Sequence, residues 1–403
     1  MKQQLILLVL AVSFLLIMTG CGNTQIQSGT PAGNEISQSQ IPQEDAKTPT
    51  YSASSSFRAQ AEEILKTMTL EEKVWQMFFV RPEDITGIGV AIQAGETTQK
   101  ALEQYPVGGL VYFSQNIKSR EQLVEMIQNS QSYSKLPLFI SVDEEGGRVA
   151  RLGDADIGVT QHPPMAQVGA GGDPGRAEEI GRTLGRELKE LGFNMDFAPV
   201  ADIITVDSNE DIGDRSFGKD PEIVAQMVAA EVQGLQSQGI SATLKHFPSN
   251  GSTSANTHEE MGVCTRTLEE MRNAEFIPFR AGIEAGADLV MVAHMAAVNL
   301  SGDNTPATLS KAVIMDFLRN ELGFSGVIIS DALNMGAITN HYTAAESAVA
   351  AVNAGVDLLL MSPDAKSAAQ EILNQVKDGT IQENRINESV RRILELKLKR
   401  GIL

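Results

Sequence analysis

Eight short apolar runs recur along this chain at 74–80, 109–113, 136–142, 194–200, 241–247, 288–293, 326–330 and 356–361. Longer stretches of helical periodicity separate several of them, at 177–191, 221–238, 268–285 and 311–322. A strand that is apolar throughout is covered on both faces, and strands joined through helices run parallel. The expected fold is therefore α/β, a (β/α)8 TIM-type barrel built as a single catalytic domain over 57–403, with a doubly wound open sheet as the alternative. Gly192, Gly239, Gly286 and Gly323 fall at or near the expected helix ends. The last pattern, 381–403, places Ile386, Val390, Ile393, Leu394 and Leu398 at helical spacing and reads as a closing helix, with no second domain behind it.

The chain ahead of this domain has a different character. Residues 1–20 carry Lys2, an apolar core from Leu5 to Met18 and small residues before Cys21, which is the layout of a signal peptide. Met18-Thr19-Gly20-Cys21 resembles a bacterial lipobox, and the resemblance implies cleavage before Cys21 and lipidation of its sulfur. Residues 21–56 are rich in Ser, Gln, Thr, Pro and Gly and are expected to form a disordered tether. The expected location is extracytoplasmic, with the membrane as a partner through the lipid on Cys21. That leaves Cys264 alone among two cysteines, so no internal disulfide frames the fold. A formal net charge of −19 excludes a general nucleic-acid binder and electrostatic adhesion to an anionic surface.

Polar residues gather where the apolar runs end: Asp143, Asp202, Lys245-His246, His294 and Asp331. In a barrel all these ends open on one face, the face that carries chemistry. Asp143 heads the stretch Asp143-Glu144-Glu145-Gly146-Gly147-Arg148-Val149-Ala150-Arg151. An acid flanked by two arginines suits the gripping of sugar hydroxyls or a carboxylate. Glu144 alone reads as a solvated loop residue. Arg215, in Asp214-Arg215-Ser216-Phe217-Gly218, reads either as a substrate donor or as a loop staple. His294 reads either as a core histidine or as pocket lining. The five histidines are scattered without the short spacing of zinc sites, and no glycine-rich phosphate loop is present, so neither metal nor cofactor is expected.

Taken together, several motifs resemble glycoside hydrolase family 3, in its β-N-acetylhexosaminidase branch. They are Lys245-His246-Phe247-Pro248 with His258, Asp143 to Arg151, Phe197-Ala198-Pro199-Val200-Ala201-Asp202, Asp214 to Gly218 and Ser330-Asp331-Ala332-Leu333-Asn334-Met335-Gly336. The resemblance implies a retaining mechanism, with Asp331 as nucleophile and His258 as the acid/base. It implies that Asp143, Arg151, Arg215, Lys245 and His246 hold the N-acetylglucosamine unit. The expected substrates are N-acetylglucosamine-containing glycans, peptidoglycan fragments first and chitin oligosaccharides next, acted on by a monomer.

The chain departs from the family pattern in two places, with Ser249, Asn250 and Ser252 in the stretch that usually reads Lys-His-Phe-Pro-Gly-His-Gly-Asp-Thr, and more seriously just beyond it. Asn256-Thr257-His258 stands where the family reads Asp-Ser-His, so Asn256 occupies the place of the acid that pairs with the catalytic histidine. An asparagine amide can orient the ring but cannot stabilise an imidazolium as a carboxylate does. Either Glu259, Glu260 or a carboxylate from another loop takes that part, or the chain is a slow enzyme or a wall-binding relic of the same fold. A solute-binding lipoprotein shares the leader and the tether, but it would have two lobes and a hinge.

Overall fold

The computed structural model describes residues 50–403. The leader, Cys21 and the tether up to residue 49 lie outside the described residues. Eight strands, β1 (Phe78–Val80), β2 (Gly109–Val111), β3 (Phe139–Val142), β4 (Met195–Asp196), β5 (Ser241–Phe247), β6 (Leu289–Val292), β7 (Val327–Ser330) and β8 (Leu359–Leu360), form one sheet. Its order is β7-β6-β5-β4-β3-β2-β1-β8, and every pairing within it is parallel. A parallel bridge between Ile329 and Leu358 joins the two ends and closes the barrel. The fold is the expected (β/α)8 barrel, one closed sheet rather than the two lobes of a solute-binding protein.

The strands are short and buried throughout, which is why they read as apolar runs. The first apolar run is longer than its strand: Val74, Trp75 and Gln76 belong to helix α1 (Leu70–Gln76), whose buried residues continue into β1. Thr69 starts that helix with a capping box to Glu72. The segment read as tether also ends early, because a helix runs over Thr50–Thr67.

Two outer helices, α2 (Pro174–Leu191) and α3 (Pro221–Ser237), follow β3 and β4 and pack closely on each other. Their approach depends on glycine. A Cβ on Gly181 would lie 2.5 Å from the Glu231 carbonyl oxygen, and one on Gly234 would lie 2.3 Å from that of Glu178. The pattern at 268–285 resolves into two helices, Leu268–Arg272 and α4 (Phe276–Glu284). Phe276 and Phe279 of α4 pack on Phe247 of β5 at ring distances of 5.5 and 5.2 Å. Such pairs contribute about 0.5–1.5 kcal/mol beyond their buried area.

The closing helix α5 (Glu383–Lys399) is present. Its Arg392 joins Arg319 on the buried Asp357, just ahead of β8. Lys397 enters the end of the barrel opposite the polar strand ends. Its Nζ donates to Gln76 Oε1 at 2.9 Å and lies 5.1 Å from the Phe139 ring centroid. Burial lowers this ammonium to about 7. Among the described residues Cys264 is a free, buried thiol.

Candidate active site

The C-terminal ends of the strands surround a cavity of about 790 Å³. All eight side chains singled out from the sequence line it: Asp143, Arg151, Arg215, Lys245, His246, Asn256, His258 and Asp331.

Asp331 directly follows β7 and is 8% exposed. Its Oδ1 accepts a 2.7 Å hydrogen bond from the Ala332 N–H. Burial pushes the carboxyl up, but His294, His246 and His258 together with that N–H outweigh it. The net shift is below the ordinary aspartate value, so the group stands ionised. His294, fully buried after β6, holds the turn from the other side: its Nε2 donates to the Ala332 carbonyl at 2.9 Å. Burial lowers the His294 ring from its ordinary value, with Asp331 opposing. Its Nδ1 has no partner among the described residues. Of the two readings left open for His294, the structure gives a buried support of the Asp331 turn.

Lys245 and His246 end β5. The Lys245 Nζ lies 2.7 Å from Asp143 Oδ1 and 2.6 Å from Glu145 Oε1. Burial opposes the charge on this lysine, but the Asp143 and Glu145 carboxylates overcome it and raise its pKa. His246 Nδ1 pairs with Asp202 at 2.7 Å, and the same carboxylate accepts from the backbone N–H groups of His246 and Asn250. Asp202 thus fixes both the ring of His246 and the start of the loop that follows.

Glu145 is the residue that the sequence reading missed. It is fully buried and takes a bidentate pair from Arg215, both contacts at 2.9 Å, in addition to Lys245. Desolvation opposes its charge, yet Arg215 and Lys245 hold it far below the ordinary glutamate value. Arg215 also donates to the Asp211 carbonyl at 3.1 Å, so it serves as a loop staple while still lining the cavity. Glu144 was expected in solvent and is buried instead. Its carboxylate accepts from the backbone N–H groups of Leu152 and Gly153, and burial raises it to about 7. Its work is to fold the loop that presents Arg151. Arg151 faces the Phe113 ring at 5.8 Å and keeps its Nε free of partners. Arg148 also lines the cavity and staples Asp214 and the Glu210 carbonyl.

His258 arrives on the long loop after β5. Its side chain is 64% exposed. The loop docks on the segment beyond Asp331, where the Gly336 N–H donates to the His258 carbonyl at 2.9 Å. A Cβ on Gly336 would lie 2.4 Å from the Glu259 carbonyl oxygen, so only glycine permits that contact. Further back, a Cβ on Gly251 would fall 2.0 Å from the Ile203 carbonyl oxygen. Asn256 does not meet the ring. Its Oδ1 accepts from the His258 backbone N–H at 3.0 Å and its Nδ2 points to Glu259. Of the roles open to an asparagine at this position, the structure gives a cap on the local turn.

The model of the "Glycosyl hydrolase family 3 N terminal domain" matches residues 69–396. A relative described as "Beta-hexosaminidase" from Nitrosomonas eutropha is 37% identical over 288 residues, which is 70% of this chain and 81% of that one. A solved family 3 β-N-acetylglucosaminidase from a Paenibacillus species superposes with a TM-score of 0.79 at 38% identity. That match covers 83% of this chain, which spans 63% of the length of that structure. The β-N-acetylhexosaminidase of Beutenbergia cavernae matches with a TM-score of 0.74 at 27% identity, covering 83% of this chain and 99% of the other. With the matched model extending across the whole barrel, the chain belongs to glycosyl hydrolase family 3.

Proposed function

We propose that this protein is a β-N-acetylglucosaminidase that removes terminal N-acetylglucosamine with retention of configuration. The observation that carries the reading is Asp331 at the end of β7, in the same cavity as the solvent-facing His258. A carboxylate attacks the anomeric carbon and forms a glycosyl ester. His258 gives a proton to the departing oxygen, then takes one from the water that opens the ester. Asp143, Lys245, His246 and Arg151 converge on the cavity with donors and acceptors suited to sugar hydroxyls. Arg215 acts largely through Glu145 and the loop it staples.

The relatives' printed activities support N-acetylglucosamine as the sugar that is cleaved. The leader and the lipobox-like Cys21 support a lipid-anchored enzyme outside the cytoplasmic membrane, working on peptidoglycan fragments. The test of the nucleophile is covalent capture. A 5-fluoro glycosyl fluoride of N-acetylglucosamine should add one sugar mass to the peptide containing Asp331 and none to the Asp331→Ala variant. Labelling that persists in the variant sinks the assignment.

A further inference from the structure

The family's usual acid beside the histidine is missing at Asn256, and no other carboxylate on that loop replaces it. Among the described residues neither Glu259 nor Glu260 lies within ion-pair distance of the His258 ring, whereas Asp211 does: its Oδ1 stands 4.0 Å from His258 Nε2. We propose that Asp211, carried on the separate loop after β4, is the positioning residue for His258, replacing in space the carboxylate lost in sequence. This rests on the glycosidase reading above.

Three features equip Asp211 for the part. Its side chain is only 14% exposed and lines the same cavity as His258 and Asp331. Its loop is fixed to the loop that carries His258, because Asn209 Nδ2 donates to the carbonyls of Asn250 and Thr253 while Asn209 Oδ1 accepts from Ile212 N–H. Its other neighbour is cationic: the Arg215 guanidinium lies 3.8 Å from the same Oδ1 and donates to the Asp211 carbonyl. A carboxylate between Arg215 and His258 is thereby kept in place to receive the Nε2 proton. The separation is wider than a hydrogen bond, and contacts of this kind tighten when the substrate complex closes. With Nε2–H held on Asp211, Nδ1 is the atom that passes its proton to the glycosidic oxygen as that bond breaks. The same Nδ1 then takes a proton from the attacking water, and Asp211 stabilises the imidazolium that exists before the first transfer and is restored by the second.

The experiment compares the intact chain with Asp211→Asn, Asn256→Asp and the double variant, on p-nitrophenyl and methyl β-N-acetylglucosaminides. Asp211→Asn keeps the backbone carbonyl contacts, so the loop stays. The expected result is a fall of about 10²-fold in kcat/KM on the methyl glycoside, whose leaving group needs the proton. A smaller fall is expected on the p-nitrophenyl glycoside. Asn256→Asp is the control: the side chain at 256 caps the turn and does not meet the ring, so it should change neither the parent nor Asp211→Asn by more than about 2-fold. Asp211→Asn activity within about 2-fold of the parent on both substrates overturns the assignment. So does an equal loss on both substrates, which marks Asp211 as a loop residue only. A parent without turnover on either glycoside overturns the glycosidase reading itself, and this inference with it.

Discussion

Lys245 Nζ stands 2.6 Å from Glu145 Oε1, and both side chains are buried at the mouth of the barrel. The same carboxylate holds Arg215 in a two-point contact. Three strand-end segments, after β3, β4 and β5, are thus tied through one anion. Glu145→Gln keeps the shape but leaves two buried cations short of a counter-charge. Breaking such a cluster costs about 3–5 kcal/mol. Denaturant unfolding of Glu145→Gln should show a loss of that size, together with weaker substrate turnover. Unfolding indistinguishable from the parent would mean that the cluster contributes nothing.

Gly251→Ala tests how the His258 loop is seated. The added methyl would meet the Ile203 carbonyl oxygen at 2.0 Å, so the loop must move. A displacement of about 1 Å in a catalytic group costs on the order of 10²-fold in rate. Kinetics on a β-N-acetylglucosaminide should show kcat/KM reduced by that factor, with a stability loss of about 1–3 kcal/mol. Unchanged kinetics would show that the loop's seating does not govern the chemistry.

Glu231 gives the protein a pH-dependent stability. It sits fully buried on α3, and neither carboxylate oxygen has a partner. Burial raises it to about 8, with Glu145 adding to the effect and Lys245 opposing it. The unfolded chain ionises this group near its ordinary value of 4.5, while the folded chain keeps the proton up to about 8. Its contribution to stability is therefore complete below the ordinary value and is lost as pH rises through the folded one. The loss is on the order of 4 kcal/mol. Thermal unfolding of Glu231→Gln should show a stabilisation over the parent that is small at about pH 5 and larger at about pH 8. An equal effect at both pH values would contradict a buried, protonated Glu231.

The sequence made the barrel legible because its strands are buried on both faces and its chemistry is concentrated at strand ends. Asp143, Lys245, His246 and Asp331 were found by position alone, since a charged residue that ends an apolar run must face the open end of the barrel. Glu145 was not, because its partners lie 70 and 100 residues away and its neighbours read as a solvated loop. Asp211 was hidden for the same reason: its relation to His258 is made by two loops meeting in space. The helical stripe Val224, Val228, Glu231 and Leu235 did hold a signal, an acid on a buried face, that went unread. The β1 boundary failed because a helix's buried face and a strand's run are alike over a few residues.

The most direct test of the central claim is p-nitrophenol release from its β-N-acetylglucosaminide by the intact chain, with and without phosphate, beside Asp331→Ala. Turnover in the parent, whether or not phosphate is present, and its loss in the variant are the expected results. A silent parent, or an Asp331→Ala variant as active as the parent, would contradict it.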